Sequence, residues 1–478
     1  MNSDRNIAET FFGVAARFPD QDAYIGSGQV LSLAKLAMAV RAFAIRMRDH
    51  GIDRGALVML DTTNPLVSLS TLCASALLGV QITPYSPTFS KNAEFPPTHI
   101  LRSPEAPVRG LDGVVEIDQS WSPAMIDLDA AAPFGPVDTA APWLMMSSAG
   151  TTGTPKIFTL SQRIAHDRIM AIRDNSLVGC RTNVLLFSAN SRPFFIRALA
   201  ALLNGSTIVD IYDPAELQRI GIDLVCGSPY QATHWLGPRT LAPRFKRLLV
   251  TGARLREQDA ERLLHSFEVV EDVYGASETN QSFVNEKTLQ DGKLVTRGKW
   301  LDSRVEIVDQ AFEPCKPGQI GMLRVSNSYM IEGYLGLPKA TATAFQDGWF
   351  YPGDFARWLD DGVLDVTGRI DETINLGGVK VNLKAVDDVM NSVDGVTAAV
   401  CFRNPDPTKV NELMAFVILD DIIRRDFVVP EVRNACVAAL GVDESPASII
   451  VVEALPMTID GVPRRTECQR LASEMQQG

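Results

Sequence analysis

A segment rich in glycine and hydroxyl groups ends at a lysine, with the sequence SSAGTTGTPK over Ser147–Lys156. Glycines let backbone N–H groups approach an anion, hydroxyls add donors and the lysine adds charge, so the segment suits a polyphosphate such as a nucleoside triphosphate. It is not GxxxxGKS or GxxxxGKT, because Thr154 and Pro155 separate Gly153 from Lys156 and no hydroxyl follows Lys156. It is also not the GxGxxG of dinucleotide sites. On composition alone, a Ser/Gly surface loop is an equally good interpretation.

Other short segments follow this loop in a fixed order. They are TGARL (Thr251–Leu255), VYGASE (Val273–Glu278), GWFYPGDFAR (Gly348–Arg357) and GRIDETINLGGVKVN (Gly368–Asn382), with weaker matches at ALLGVQITPYSP (Ala76–Pro87) and MIEGYLG (Met330–Gly336). In this order the segments resemble the adenylate-forming superfamily, which includes acyl-CoA synthetases, standalone adenylation domains and luciferases. The resemblance spans nearly the whole chain, and it implies an ATP- and Mg²⁺-dependent ligase.

The resemblance implies a role for each matching residue, and each also has a structural interpretation as a loop, turn or core residue. The implied ATP contacts are Ser148, Gly150, Thr151, Thr152, Gly153 and Lys156 at the phosphates, Gly252, Ala253, Arg254, Tyr274, Gly275, Ala276 and Ser277 at adenine, and Asp354 and Arg369 at the ribose. Thr152 and Glu278 would hold Mg²⁺, a hard ion that prefers oxygen ligands. Asp371 is the implied hinge of a mobile C-terminal domain, and Lys380 is available to the phosphates of a thiol acceptor.

The C-terminal motif departs from the family's pattern. Relatives have a proline, a glycine and then a lysine that reaches the α-phosphate and the acyl oxygen, but here the stretch is LPMTIDGVPRRTE and Val462 takes the lysine's place. Valine carries no charge and no donor, so Arg464, Arg465 or another cation would have to substitute. A working ligase with a shifted loop and an enzyme with an undemanding first half-reaction both stay open. The candidate catalytic residues are Lys156, Thr152, Glu278 and Arg464.

The acid pocket is expected at FSANSRPFFIRAL (Phe187–Leu199), together with the turn at Gly252 and the residues around Tyr274. Amino-acid activators of the family carry an aspartate in the first of these, and none is present, which disfavours an α-amino acid. The aromatic pair in this stretch would line a slot or belong to the core, and the arginines there would bind a second carboxylate or face solvent. The candidate substrate contacts are Asn190, Phe194, Phe195 and Arg197.

The implied reaction begins with attack of an acid oxyanion on the α-phosphorus of ATP, which releases pyrophosphate and leaves an acyl adenylate. Transfer to a thiol of CoA or of a carrier-protein phosphopantetheine follows, and a small aryl or short acyl acid fits the pocket best. Two alternatives are kept. One is activation of nitrite for diazotisation of an aryl amine, where no acyl oxygen needs the missing lysine, and the other is a nucleotide-binding relative without turnover.

Composition excludes several partner classes. The chain has 478 residues, of which 46% are hydrophobic, and a formal net charge of −12, so it lacks the basic footprint expected for nucleic acid or an anionic membrane. Seven cysteines are scattered without a CxxC pair, which favours reduced thiols in a cytoplasmic protein. The most apolar run, Leu66–Ile82, contains serines and threonines and precedes Pro84, so we expect a buried helix running into a strand rather than a membrane span.

The elements that must position these residues follow an α/β pattern. Strand-like runs at Asn183–Phe187, Ser206–Tyr212, Arg247–Gly252 and Glu268–Gly275 alternate with helical runs such as Phe194–Gly205, which predicts parallel sheets covered by helices. From residue 304 the pattern changes to meander-like strands, and the end of the chain alternates again. We predict a large N-terminal domain (1–370) of two helix-covered sheets plus a small β-barrel-like subdomain, followed by a small mobile α+β C-terminal domain (371–478).

Overall fold

The computed structural model describes residues 6–26, 28–86, 94–107, 110, 113–129, 132–148, 156–370, 373–376, 379–406, 408–409, 411–457 and 462–477. The chain divides into two compact units. The first unit is Met1–Val305 with Val325–Phe350, and the second is Glu306–Arg324 with Tyr351–Gly478. The predicted domain boundary at Asp371 lies outside the described residues and stays a prediction.

Helices occur throughout the described ranges, and most begin at a residue whose side chain accepts a hydrogen bond from the first turn, as N-caps do. They are α1 (Ile7–Arg17), α2 (Leu33–Asp49), α3 (Pro65–Leu78), α4 (Gln162–Ser176), α5 (Arg192–Leu203), α6 (Pro214–Ile220), α7 (Pro229–Leu236), α8 (Glu257–Leu264), α9 (Pro338–Ala344), α10 (Leu383–Asn391), α11 (Arg425–Leu440) and α12 (Arg465–Gln477).

Strands supply the sheets between these helices. They are β1 (Asp22–Gly26), β2 (Gln29–Ser32), β3 (Leu57–Asp61), β4 (Gln81–Pro84), β5 (His99–Arg102), β6 (Val114–Glu116), β7 (Pro142–Ser148), β8 (Lys156–Ser161), β9 (Thr182–Leu185), β10 (Thr207–Asp210), β11 (Leu224–Gly227), β12 (Phe245–Thr251), β13 (Phe267–Ala276), β14 (Asn280–Gln290), β15 (Lys293–Trp300), β16 (Arg304–Val308), β17 (Gly321–Ser326), β18 (Phe345–Gln346), β19 (Trp349–Phe350), β20 (Asp354–Trp358), β21 (Leu364–Arg369), β22 (Thr373–Leu376), β23 (Val379–Asn382), β24 (Val396–Arg403), β25 (Leu413–Leu419) and β26 (Pro446–Val451).

The first unit contains a large sheet with the strand order β15-β14-β13-β12-β11-β9-β10-β1-β2. The pairs from β13 through to β1 are parallel, as the alternation of strands and helices predicts. Successive side chains of a strand point to opposite faces, and β11 shows this directly, because Cys226 faces the core with α5 while Val225 faces the core with α6, α7 and α8. The predicted helix-covered parallel sheet is confirmed.

The second sheet of this unit has the order β6-β5-β3-β4-β7-β8, and only its last pair, β7 with β8, is antiparallel. The apolar run from Leu66 forms the buried helix α3, which stops at Gly79 in the left-handed conformation (φ 69°), where glycine is favoured. The chain then enters β4, so the predicted helix and strand are both confirmed. No helix in the described ranges is long and apolar enough to cross a membrane.

The second unit combines two β regions with helices. Strands β17, β20 and β21 pair antiparallel, which agrees with the meander expected from residue 304. Further along, β24, β25 and β26 form a mixed sheet. One face of that sheet packs on α10 and α11, and the other on α12. The α+β character predicted for the end of the chain is confirmed.

Candidate active site

The predicted phosphate loop is the connection of the β7–β8 hairpin. Ser148 and Lys156 are the last paired residues of this ladder. Residues 149–155, which include Gly150, Thr151, Thr152 and Gly153, lie outside the described residues, as do the side chain of Ser148 and its contacts. The hairpin therefore fixes where the seven-residue connection starts and where its lysine stands.

Lys156 and Glu278 are both in contact with one tyrosine, Tyr334. The ammonium of Lys156 lies 5.1 Å from the centroid of the Tyr334 ring, within the range of a cation–π contact. The Tyr334 hydroxyl donates a hydrogen bond of 2.8 Å to Oε1 of Glu278, which is buried. The structure thus joins the predicted phosphate lysine and the predicted metal carboxylate through a side chain to which the sequence analysis gave no role.

The segment that carries Tyr334 is tied to both of its partners through the backbone. The N–H of Leu335 donates to the carbonyl of Ile157 at 2.7 Å, next to the lysine. The N–H of Ile331 donates to the carbonyl of Glu278 at 3.0 Å. These contacts hold Tyr334 in register with β8 on one side and with the turn of Glu278 on the other.

Arg168 of α4 is hydrogen-bonded to the backbone on either side of this contact, close to Glu278 and ahead of Tyr334. Its guanidinium donates to three carbonyls, those of Tyr329 (2.8 Å), Ser277 (2.9 Å) and Glu278 (2.5 Å). Burial lowers the pKa of Arg168 to about 9. No spacing in the sequence signals these contacts, because they join residues more than a hundred positions apart.

The predicted adenine-flanking residues lie where β13 turns into β14. The register of the β13–β14 pair shifts between Tyr274 and Gly275. A Cβ at Gly275 would lie 2.3 Å from the carbonyl oxygen of Asn280. Glycine is therefore required at this close approach. Ala276 and Ser277 follow, and the chain reverses through the buried Glu278.

The second predicted adenine contact follows β12. Gly252 has φ +90° and a Cβ there would meet no atom within 4 Å, so this turn to Ala253 and Arg254 uses a backbone conformation that favours glycine. Asp272, on the neighbouring β13, has its pKa raised to about 6 by burial, while the charges of Lys287 and Arg254 oppose the rise. This carboxyl lies within electrostatic reach of the predicted pocket.

The candidate acid contacts lie on α5 and just before it. Phe194 and Phe195 are buried in the hydrophobic core, as the core interpretation of this pair expects. The side-chain oxygen of Asn190 accepts a hydrogen bond of 3.1 Å from the N–H of Tyr85. Arg197 is only 8% exposed, and its surroundings are taken up below.

The predicted ribose residues belong to the second unit, where they face each other on paired strands. Asp354 opposes Arg369 in the β20–β21 register. The guanidinium of Arg369 donates to Oδ1 of Asp354 at 3.2 Å and to the carbonyl of Pro352 at 3.2 Å. Arg369 thereby orients the carboxylate of Asp354.

The two arginines of the C-terminal motif have different environments. Arg465 donates to Oδ2 of the buried Asp387 at 2.7 Å and to the carbonyl of Cys401 at 2.7 Å. Arg464 is exposed, immediately before α12, and Val462 is 39% exposed. Arg465 is therefore engaged within its own unit, and Arg464 is the candidate whose side chain reaches solvent. Asp371 and the side chain of Lys380 lie outside the described residues.

The donor chemistry at Glu278 fits magnesium. Mg²⁺ is usually held by one or two carboxylates together with substrate phosphates. Tyr334 donates to one oxygen of Glu278, and the other oxygen, a hard ligand, receives no hydrogen bond from the residues that the structure describes. Within the described ranges, no group of three or more His, Cys, Asp or Glu side chains forms an all-protein metal cage. A single carboxylate beside a phosphate loop matches the way this ion binds with a nucleotide.

Comparison with protein families identifies the class. The model of the AMP-binding enzyme family matches residues 11–335, and the model of the AMP-binding enzyme C-terminal domain matches residues 385–461. The first match alone spans more than half of the 478 residues. The chain belongs to the AMP-binding enzyme family, and it is an adenylate-forming ligase.

Individual relatives agree with this assignment. The chain is 26% identical over 355 residues to a salicylyl-CoA synthase / salicylate adenylyltransferase of Streptomyces sp, a match that spans 69% of this chain and 62% of that relative. It is 26% identical over 519 residues to the pyochelin synthase PchD of Pseudomonas aeruginosa, covering 99% and 94%. Its fold is similar to that of the O-succinylbenzoate coenzyme A synthetase MenE of Bacillus subtilis in complex with AMP (TM-score 0.80, 19% identity, 97% and 98% covered).

Proposed function

We propose that the protein activates a small aryl or short acyl carboxylic acid with ATP and Mg²⁺ and then transfers the acyl group to a thiol. The observation that carries this proposal is the contact of Lys156 and Glu278 with Tyr334. A bound metal–triphosphate needs a cation for its phosphates and a carboxylate for its metal ion in one place. A purely structural role would not require both groups. The intact pair Asp354 and Arg369 supports a nucleoside as the rest of the ligand.

In the first half-reaction, an oxygen of the acid attacks the α-phosphorus of ATP, and the bond to the β-phosphate breaks with release of pyrophosphate. Lys156 and the loop before it hold the β- and γ-phosphates, and Asp354 holds the ribose. Mg²⁺ bound at Glu278 would neutralise part of the charge on the phosphates. Catalysis by alignment and charge neutralisation requires no protein nucleophile.

Arg464 is proposed to act in place of the missing lysine. It is exposed and lies two residues after Val462, whereas Arg465 is engaged with Asp387. Arginine presents a planar fork rather than a point charge, so it would reach the α-phosphate and the acyl oxygen with two nitrogens. No acid or base chemistry is required of it.

In the second half-reaction, a thiol sulfur attacks the acyl carbonyl, the bond to the phosphate oxygen breaks and AMP leaves. CoA and a carrier-protein phosphopantetheine are the candidate acceptors, with Lys380 near the phosphates of either one and Asp371 as the hinge between half-reactions. The Streptomyces relative is named for both a CoA synthase and an adenylyltransferase of salicylate, which supports an aryl acid.

The test is release of pyrophosphate and AMP from ATP and Mg²⁺ by the full chain. Separate reactions contain benzoate, salicylate, butanoate, succinate, or nitrite with an aryl amine, each with and without CoA. Release with a carboxylic acid is expected, and we expect Glu278→Gln to abolish it while Glu257→Gln, at an exposed glutamate of α8, does not. Release in the reaction with nitrite and the aryl amine, and with none of the carboxylic acids, would show that nitrite is the substrate that is activated. ATP binding without release in any reaction would refute the ligase reaction.

A separate pair of variants tests the proposed role of Arg464. Arg464→Met is expected to slow pyrophosphate release about tenfold or more, as loss of a charged hydrogen-bond donor does. Arg470→Met is the control, because Arg470 is exposed on α12 and pairs with Glu467 and Glu474. Equal rates for the two variants would show that another cation serves the α-phosphate.

A further inference from the structure

Arg197 of α5 is a buried arginine without a counter-ion. It is 8% exposed, and among the described residues no carboxylate forms an ion pair with it and no acceptor receives a hydrogen bond from it. Arg168, the other buried arginine among the described residues, and the partly buried Arg247 and Arg465 all have partners. Arg168 donates to three carbonyls, Arg247 pairs with Glu271, and Arg465 pairs with Asp387.

A cation in this state is costly to the folded protein. Removing an ionised group from water carries a penalty that only pairing or hydrogen bonding offsets. The guanidinium is not sealed in the core, because none of its nitrogens is among the fully enclosed polar atoms that lack a partner. The guanidinium of Arg197 is therefore largely buried but still accessible from solvent, so a small anion can reach it, and an ion pair formed at such a site is stronger than one in water.

The position of Arg197 in the fold is that of a ligand site. Its charge acts on the thiol of Cys226, the next-to-last residue of β11. In open α/β sheets, ligands bind beyond the carboxyl ends of the parallel strands. The turn at Gly252 follows β12 and Glu278 follows β13 at this same edge. Arg197 lies on α5, within the stretch Phe187–Leu199 where the acid pocket is predicted.

The two other arginines of the predicted pocket differ from it. Arg192 and Arg254 each already have a contact with described residues, so neither needs a ligand to satisfy its charge. Arg197 alone of these three lacks a partner among the described residues. The sequence left open whether these arginines bind a carboxylate or face solvent. For Arg197, its burial and its lack of a partner favour carboxylate binding.

We propose that Arg197 binds a second carboxylate of the acid that is activated, so that the substrate is a dicarboxylic acid. One carboxylate attacks ATP, and the other lies against the guanidinium in the two-pronged geometry that arginine and carboxylate form. This inference rests on the proposed function, and it narrows that function from acids in general to acids with two anionic groups.

The first experiment compares matched acids by pyrophosphate release. The pairs are benzoate with benzene-1,3-dicarboxylate and butanoate with succinate, tested on wild type, Arg197→Met, Arg197→Lys and Arg297→Met. Arg297 is an exposed arginine of β15 and serves as the control. We expect wild type to favour the dicarboxylate by about tenfold or more in kcat/KM. Arg197→Met should lose this preference, and Arg197→Lys should keep part of it.

The second experiment is thermal unfolding, which needs no turnover. Without ligand, Arg197→Met is expected to melt at a higher temperature than wild type, because the variant removes an unpaired buried cation. Dicarboxylates should raise the melting temperature of wild type and not that of Arg197→Met, while Arg297→Met should behave as wild type.

Two results would overturn the inference. They are a lower melting temperature for ligand-free Arg197→Met, or equal effects of mono- and dicarboxylates on wild type. If no acid releases pyrophosphate, the proposed reaction fails, and the melting experiment still decides whether Arg197 binds a carboxylate.

Discussion

Tyr334→Phe tests whether the tyrosine that contacts both Lys156, the proposed phosphate ligand, and Glu278, the proposed metal ligand, serves the reaction. The variant removes the hydroxyl that donates to Glu278 at 2.8 Å and keeps the ring beneath Lys156. A hydrogen bond to a charged group contributes about 1.5–3 kcal/mol. Without it, the buried carboxylate of Glu278 loses the donor that fixes one of its oxygens and orients the other.

The expected consequence is weaker use of magnesium. Loss of a partner that orients a metal ligand typically lowers metal affinity by about 10–100-fold. Pyrophosphate release is measured over a magnesium titration at saturating ATP, and half-saturation in Tyr334→Phe should move to a concentration at least about tenfold higher. Tyr334→Leu removes the ring as well, so the KM for ATP should also rise.

The control is Tyr230→Phe, which removes a hydroxyl from an exposed tyrosine stacked on His234. Its magnesium titration should match wild type. If Tyr334→Phe lowers the melting temperature but leaves half-saturation by magnesium unchanged, Tyr334 has only a structural role. That result would refute the assignment of Glu278 as a carboxylate that Tyr334 positions for the metal.

Three further predictions concern stability, each measured by urea unfolding followed by circular dichroism. Asp387→Ala should lower the free energy of unfolding by about 3–5 kcal/mol, because it removes the buried carboxylate that pairs with the partly buried guanidinium of Arg465, whereas Arg464→Ala should change it by less than about 0.5 kcal/mol. Asn183→Val should raise it by about 1 kcal/mol, since neither polar atom of this buried amide has a hydrogen-bond partner among the described residues. Asp272 has a raised pKa, so the folded state binds its proton more tightly than the unfolded state does. Wild type should therefore lose up to about 3 kcal/mol relative to Asp272→Asn between pH 4 and 6, with no further loss above pH 7.

Each stability prediction has a result that contradicts it. Equal losses in Asp387→Ala and Arg464→Ala would mean that the buried ion pair adds nothing. A destabilised Asn183→Val would mean that water or a ligand satisfies the amide. A constant difference between wild type and Asp272→Asn from pH 4 to 7 would mean that the pKa of Asp272 is not raised.

The large elements were predictable from the sequence because their signals are local. Strand β12 is a run of apolar residues before a glycine, and α5 is a helical run after the N-cap Ser191. A strand between turn signals needs no distant partner to be recognised. The candidate positions Glu278 and Asp354 were found in the same way, as residues at fixed places in short motifs.

The contacts that organise the site were not predictable, since they join distant parts of the chain. Tyr334 and Glu278 are 56 residues apart, and Asp387 and Arg465 are 78 apart. No periodicity or spacing links such pairs, and only the packing of separate elements brings them together. The sequence therefore left Arg464, Arg465 or another cation as replacements for the missing lysine, whereas the structure shows Arg465 engaged with Asp387.

The environments of Glu278 and Arg197 also bear on whether the protein is a ligase that turns over its substrates. If the site had lost its function, the costly features would have no reason to persist, because a buried carboxylate and an unpaired buried arginine both lower stability. Tyr334 donates to the carboxylate of Glu278 and Arg168 donates to its backbone carbonyl, and Arg197 stays without a partner among the described residues. Such features are expected where a protein gives up stability to bind a charged ligand. They favour an enzyme that turns over its substrates over a relative that only binds nucleotide.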